Sequence, residues 1–436
     1  MAIGIGLLGL GTVGAGTADI LLSPQGRHPL LGEVVLRKAG VRSLDKPRQI
    51  NLPEGCLTTD LQGIVTDPDI DIVVELLGGL EPSRTLILTA IANGKHIVTA
   101  NKAVIAKYGE EIFTAANKAG VYVLLEAAVG GGIPIIKPLK QSLSVNRISR
   151  VIGIINGTTN YILTQMTQHG ADFAEVLKEA QDLGYAEADP SADVDGGDAA
   201  DKIAILASLA FGGRIKREDV YCEGIRTVSA ADISFAAKLG FVIKLLAIAE
   251  RPDLEEDSLQ LRVHPTLVPI DHPLANVNGV FNAILVEGEP LGQVMLYGPG
   301  AGAGATASAV VSDIVHVVGL LHTDKVVREQ SEKTLNPLLG CSHEHYSSVL
   351  PIDTLRTRFY ARFLSRDLPG VIGDLGTRFG QHQVSLESVV QIGLKDDCAE
   401  IVVVTHDVHE ANFREALREI EGLEAIKDVP SILRVL

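Results

Sequence analysis

Gly9-Leu10-Gly11-Thr12-Val13-Gly14 follows an apolar run, AIGIGLL (2–8), and runs into a helical stretch, TVGAGTADILL. Three glycines at that spacing on a strand-to-helix corner leave few folds open. The first permits a tight turn, the second lets a pyrophosphate approach the backbone, and the third lets helix pack on strand. The helix N-terminus then turns its unpaired N–H groups toward an anion. Alone, the spacing also suits a plain glycine turn. Further strand-like runs follow at EVVLRKAGV (33–41), DIVVELLG (71–78), HIVTA (96–100) and VYVLLEAAV (121–129), with helical stretches such as NKAVIAKYGEEIFTAANKAG between several of them. Short apolar runs alternating with helices predict an α/β fold: a Rossmann-type, doubly wound parallel sheet over residues 1–130.

The second strand ends in Gly40-Val41-Arg42-Ser43, with Lys46 and Arg48 nearby. Sites that prefer NAD usually place an acid there for the ribose hydroxyls. A cation suits a 2′-phosphate, so Arg42 points to NADP, with NAD left open. A solvated basic loop would read the same way.

Residues 131–325 predict an α+β domain. Helices are expected near 157–169, 172–183, 197–211 and 229–240, then strands FVIKLLAIA, LQLRVHPTLV, GVFNAILVEG and GQVMLYG, and a closing helix AGATASAVVSDIVHVVGLL. Residues 326–355 are polar and weakly periodic, a linker. Residues 356–436 carry a βαββαβ order, a separate ferredoxin-like domain.

The net charge of −16 argues against nucleic acid or an anionic membrane as partner, because both need a basic face. No apolar run of eighteen residues suggests a membrane span, and the N-terminus lacks the basic segment of a signal peptide. Cys56, Cys222, Cys341 and Cys398 are widely spaced. That argues against a disulfide framework or zinc site and for a reducing, cytoplasmic setting. His316, His343 and His345 form no ligand spacing with Cys341.

The stretch GYAEADPSADVDGGDAADK (184–202) gathers Glu187, Asp189, Asp193, Asp195, Asp198 and Asp201 before a single lysine and the apolar run IAILASLAFG. Asp198 and Lys202 are four apart on a helix starting near Gly197, so they share a face. Carboxylates near a helix N-terminus are also favoured by its dipole, and a solvated acidic cap is the plainer reading. DVDGGD echoes a calcium loop, but the closing glutamate is missing.

GLLGLGTVG, VTANKA (98–103), EAAVGGGIP (126–134), INGTTNYIL (155–163), the acidic stretch ending in Lys202 and YGPGAGAGATA (297–307) occur in that order. Together they resemble homoserine dehydrogenase over residues 1–325, and 356–436, with DLPGV after its first strand, resembles an ACT domain. The resemblance implies reversible, NAD(P)-dependent interconversion of L-homoserine and L-aspartate 4-semialdehyde, in the biosynthesis of threonine, methionine and isoleucine. It implies that Glu187 and Asp198 bind homoserine, with Asp193 a further contact. Lys202 is the proton donor or acceptor, and Lys102 lies at the nicotinamide and substrate. Either lysine could move the proton. It places Gly9, Gly11, Thr12, Val13, Gly14, Gly78, Gly79, Lys102, Gly184, Glu187 and Gly302 on the cofactor side. It also implies a monovalent cation, sodium, at Glu126, Val129, Gly131 and Ile133. Otherwise Glu126 is a structural glutamate accepting backbone N–H bonds. Asn156 to Asn160 would cap a helix and order the substrate wall. The chain departs from the family pattern at Gly197, Asp201 and Ala305, where leucine, arginine and proline are common.

The ACT resemblance implies an amino-acid effector, L-threonine, at the loop containing Asp367 and Gly370, and a homo-oligomer, dimeric or tetrameric. A non-catalytic amino-acid sensor is the rival reading; the retained Lys102, Glu187, Asp198 and Lys202 weigh against it. A dehydrogenase forming a thioester would need a nucleophilic cysteine beside these motifs, and none is there.

Overall fold

The computed structural model describes residues 2–48, 50–254, 256–327, 335–336, 345–395 and 398–436, with the backbone alone at 323–327 and 392–395. Half of the expected linker, with Cys341 and His343, lies outside the described residues. The chain forms two compact units that cut across the expected segments. One gathers Met1–Ile148, Ala204–Arg217 and Asn282–Tyr346; the other gathers Ser149–Ile203, Glu218–Phe281 and Ser347–Leu436.

The first unit holds a six-stranded sheet of β1 (Ile3–Leu8), β2 (Val34–Gly40), β3 (Leu57–Thr58), β4 (Ile72–Glu75), β5 (His96–Thr99) and β6 (Val123–Leu124), in the order β3-β2-β1-β4-β5-β6. Every pairing is parallel. The order reverses direction beside β1, and in open α/β sheets ligands bind at such a switch point, beyond the strand C-termini. Both faces are covered, so the strands read as continuous apolar runs: Ile5, Leu7, Ile72, Val74 and Val98 share one core cluster. The same cluster takes Val310, Ile314 and Val317 from helix Ala303–Val327. That helix, expected to close the middle domain, belongs to the first unit. It is also long and apolar enough over Ala303–His322 to cross a membrane. The run is broken by Ser312 and Asp313, which is why a search for unbroken apolar stretches passes it by. Its burial against the sheet accounts for its composition.

The expected strand 121–129 is short. It pairs only over Val123–Leu124 and gives way to a 3-10 turn at Glu126–Ala128. The Glu126 N–H leaves the sheet and donates to Asp313 Oδ2 at 2.8 Å, ending the ladder.

In the second unit, Arg147–Ile154, Phe241–Glu250 and Ser258–Pro269 form successive antiparallel pairs. The C-terminal region shows the expected βαββαβ order. Arg356–Arg366 is flanked antiparallel by Cys398–Thr405 and Ile426–Val435, and Leu386–Lys395 pairs with Cys398–Thr405. Helices Val371–Gln381 and Glu410–Glu421 bury Phe379 and Phe413 against Phe359 and Phe363. The region was expected as a separate domain, yet its last strand continues the neighbouring sheet, pairing parallel with Ser258–Pro269 at Thr266 and Leu267. Arg434 of that strand, 2% exposed, donates to Glu223 at 2.8 Å and Glu410 at 2.6 Å.

Candidate active site

In the first unit β1 ends at Leu8, and Gly9 turns the chain at φ +104°. A Cβ there would stand 2.7 Å from Leu76 O, and one on Gly14 would stand 2.2 Å from Gly9 O. Both positions therefore exclude a side chain. Around Gly11 the space is open, and Gly11 and Thr12 are exposed at the start of helix Thr12–Leu22. That helix has no side-chain cap, so its first N–H groups face outward for an anion. Gly302, φ +114°, precedes helix Ala303–Val327, whose Ala303 carbonyl would lie 3.0 Å from a Cβ on Gly16. The glycine loop and Gly302 thus belong to one corner.

Gly78 and Gly79 follow β4 with φ +74° and +73° and open space around both. Lys102 begins the helix Lys102–Ala119 after β5 and is half-buried; Asn101 caps that helix, accepting from Val104 N–H at 3.3 Å. Arg42 is exposed beyond β2. Its neighbour Arg48 donates to the carbonyls of Ser43, Leu44 and Lys46 and so holds the basic loop closed on itself.

Glu126 is 2% exposed. Its Oε1 accepts from the N–H groups of Ile135 (2.6 Å) and Ile136 (2.8 Å), and Oε2 from Lys137 (2.9 Å). Asp313 Oδ1 pairs with Lys137 Nζ at 3.0 Å. Burial pushes the Asp313 carboxyl up to about 6, against the pull of Lys137. The carbonyls of Val129, Gly131 and Ile133, all buried, accept no hydrogen bond among the described residues. Such orphaned oxygens beside a carboxylate are the donor chemistry of a hard cation.

In the second unit the acidic stretch folds into a cluster around one amide. Asn156 caps helix Gly157–His169, accepting from Thr159 N–H at 2.9 Å. Its Nδ2 donates to Asp193 Oδ1 at 2.6 Å and to Asp198 Oδ2 at 2.9 Å. Asp198 Oδ2 also takes Lys202 Nζ at 2.6 Å, the expected one-turn pair, and Lys202 donates further to Ile155 O at 2.8 Å. The lysine and its partner are 13% and 11% exposed by side chain. Burial, with the Asp198 charge beside it, raises the Asp193 carboxyl above its ordinary range, while Asn156 pulls it down. Glu187 stands apart. It is exposed, and among the described residues only its main-chain carbonyl is bonded, to Gln181. Gly184, φ +76°, turns the chain after helix Phe173–Asp182. Thr158 Oγ1 ties this turn to the cap by donating to Tyr185 O at 2.7 Å. Lys202, Asp198 and Asp193 are thus brought together by Asn156, and Glu187 is not part of that contact.

The C-terminal region holds a cavity of about 130 Å³ lined by Ser365, Asp367, Gly370, Val371, Gln391 and Ile401. Gly370, φ +97°, caps helix Val371–Gln381, and Gln391 Nε2 donates to Asp367 Oδ1 at 3.3 Å. Both expected regulatory residues line it.

Sequence reasoning missed Glu75, Asn101 and Asp313. Two of them left a signal: Glu75 and Asp313 are acids inside apolar runs, where a charge persists only with partners.

The sequence matches the family model described as homoserine dehydrogenase, NAD binding domain, over residues 9–126, that for homoserine dehydrogenase over 134–315, and that for the ACT domain over 359–425. It is 69% identical to a homoserine dehydrogenase of Synechocystis sp. over the whole length of both chains. It is 42% identical to that of Bacillus subtilis, covering 100% of this chain and 98% of the relative. A crystal structure of a homoserine dehydrogenase from Thiobacillus denitrificans superposes with a TM-score of 0.88 at 44% identity, covering 100% of this chain and 98% of that one. The chain belongs to the homoserine dehydrogenase family.

Proposed function

We propose that the Asp193–Asn156–Asp198–Lys202 cluster is the substrate and proton-transfer site of this NAD(P)-dependent oxidoreductase. The reaction is the reversible interconversion of L-homoserine and L-aspartate 4-semialdehyde, serving threonine, methionine and isoleucine synthesis. The observation that carries the reading is the Lys202 amine, held by Asp198 and Ile155 O in a largely buried acidic cluster that keeps some contact with solvent. When bound, the nicotinamide supplies the hydride. Lys202 stabilises the growing alkoxide and protonates it in the reductive direction, and takes the proton back in the oxidative one. Asp198 fixes the ammonium in place and, with Glu187 and Asp193, attracts the substrate's α-ammonium. Lys102 polarises and orients the reacting carbonyl. Cofactor oxidation with aspartate semialdehyde, compared with a panel of small aldehydes, tests the assignment; equal rates across the panel would overturn it.

We assign residues 1–130 to cofactor binding, 131–325 to substrate binding and dimerisation, with helix Ala303–Val327 of that segment completing the core of the first unit, 326–355 to a linker and 356–436 to regulation. NADP is favoured over NAD, with Arg42 at the 2′-phosphate; Arg48, spent on loop carbonyls, is not its competitor. Glu126, with the carbonyls of Val129, Gly131 and Ile133, would hold a monovalent cation, sodium by analogy, as a structural joint. The spare carbonyls support this, as does Glu126 Oε2, which accepts one N–H and keeps a lone pair. Exposed Met295 and Tyr297 on strand Gly292–Pro299 support a homo-oligomer, dimeric or tetrameric. Cys56, Cys222 and Cys398 are thiols outside any disulfide, which suits a cytoplasmic enzyme.

The cavity at Asp367 and Gly370 is assigned to an amino-acid effector, L-threonine. The helix N-terminus meets its carboxylate and Asp367 its ammonium. Removing the domain is a poor test, because Arg434 and the sheet pairing at Thr266 would go with it. Asp367→Ala leaves both intact. It should abolish threonine inhibition while keeping basal turnover; unchanged inhibition would move the effector elsewhere.

A further inference from the structure

We infer that Glu75 is a positioning residue that holds the three cofactor-side loops of the first unit in one register. It is the last residue of β4 and is fully buried, with 0% exposure and no ion pair among the described residues. Its carboxylate accepts four hydrogen bonds from separate parts of the chain. Oε1 accepts from Leu77 N–H (2.9 Å), Ser83 Oγ (2.9 Å) and Asn101 Nδ2 (3.3 Å); Oε2 accepts from Thr99 Oγ1 (2.7 Å). An isolated buried charge is unfavourable. Here two helix N-termini offset it, because Ser83 begins helix Ser83–Ala92 and Asn101 caps helix Lys102–Ala119.

Two of these donors lead to a loop already described. Ser83 Oγ also reaches Gly78 O at 3.3 Å, and Asn101 Nδ2 reaches Gly79 O at 2.8 Å, so the Gly78–Gly79 turn is pinned from both sides. Asn101 is itself fixed through Val104 N–H, and Lys102 follows it directly. Leu76, beside Glu75, bonds Leu8 O at 2.8 Å, and its carbonyl is the group that forbids a side chain on Gly9. The phosphate loop, the glycine turn and the start of the Lys102 helix therefore share one anchor. An apolar residue would satisfy the strand equally well. A polar side chain of this length is needed to engage the four donors at this corner, and a carboxylate accepts from all of them. The inference rests on reading this corner as the cofactor site and Lys102 as an active-site lysine.

The test uses the full-length protein with three substitutions: Glu75→Ala, Glu75→Gln and Asn101→Ser. NADPH binding is followed by its fluorescence, alongside kcat, KM for each substrate and the thermal midpoint. Glu75→Ala should weaken NADPH binding and lower kcat by about tenfold or more, since small misplacements of reacting groups are costly. Glu75→Gln keeps the Oε1 acceptor and lets Thr99 turn its hydroxyl to accept, so it should restore most of both. Serine caps helices well, so Asn101→Ser keeps that helix while cutting the link to Glu75 and Gly79. It should reproduce the alanine phenotype even if Glu75→Ala folds poorly. NADPH affinity and kcat within about twofold of the parent in Asn101→Ser would overturn the inference, as would a Gln variant no better than Ala. Lys102→Ala separates the two readings: undiminished turnover there removes Lys102 from the chemistry, while the Glu75 effect on NADPH affinity stands or falls by itself.

Discussion

Two asparagines in this chain perform the same local task with opposite outcomes. Asn101 and Asn156 each cap a helix through Oδ1 and spend Nδ2 on carboxylates. Around Asn101 the carboxylate, Glu75, is sealed and has its four donors within the protein. Around Asn156 two aspartates meet, one with an amine beside it, and the group stays in touch with water. A carboxylate whose partners are all internal can only hold structure. One that shares an amide with a second acid, near solvent, keeps electrostatic capacity for a cationic ligand. The same amide device builds a sealed scaffold in one unit and a partly exposed acidic cluster in the other.

The strongest test of that division is Lys202→Ala. Acid–base catalysis contributes about 10²–10⁴-fold, so turnover should fall by that order while the fold survives, as circular dichroism would show. A folded variant with near-normal turnover would pass the proton-transfer role to Lys102. Next comes Asn156→Ser, the counterpart of Asn101→Ser. Serine preserves the cap and breaks the amide's two charge-assisted hydrogen bonds to the aspartates, so KM for homoserine should rise by about tenfold or more with NADPH affinity unchanged. If both serine variants act on the cofactor, the contrast fails. Glu187→Gln should raise homoserine KM by about three- to tenfold, less than a buried contact because the side chain is exposed. A loss confined to cofactor binding would contradict its role. Arg42→Ala should weaken NADP use by about fivefold relative to NAD; equal effects would make the loop a solvated face.

The smallest effect concerns Asp313, a buried acid of the scaffold kind. Its folded pKa, about 6, lies above the ordinary 3.8. Between those values the native state binds more protons than the unfolded chain, so this group's stabilisation is full below 3.8 and lost as pH rises through about 6. Asp313→Asn removes that titration. Its thermal midpoint should gain on the parent's as pH rises across the window, and a constant gap would show that Lys137 holds the carboxylate charged throughout.

The sequence made the cofactor fold legible because a parallel sheet writes itself as short apolar runs, and its phosphate loop as glycines at fixed spacing. Asp198 and Lys202 were legible as neighbours because helical geometry places residues four apart on one face. Asn156 could be read as a cap, but its bridge to Asp193 and Asp198 spans 37 and 42 residues, which no local pattern encodes. The same holds for Glu75 with Thr99 and Asn101, and for Asp313 with Glu126, 187 residues apart. Helix Ala303–Val327 was assigned to the domain preceding it in the chain, since nothing in an apolar helix names the sheet it covers.

That helix sets the timetable of synthesis. Every strand of the parallel sheet is made once residue 124 has been translated, yet Val310, Ile314 and Val317, which close its core, come some 180 residues later. At about 5–20 residues per second the ribosome needs roughly 10–35 s to deliver them. Through that interval one apolar face of the nascent sheet has only the part of its native cover that Ala18, Leu21 and Leu31 provide. Early collapse must be reversible enough to admit a late helix, and the cofactor-binding unit reaches its native packing only after most of the second unit's central segments have been made.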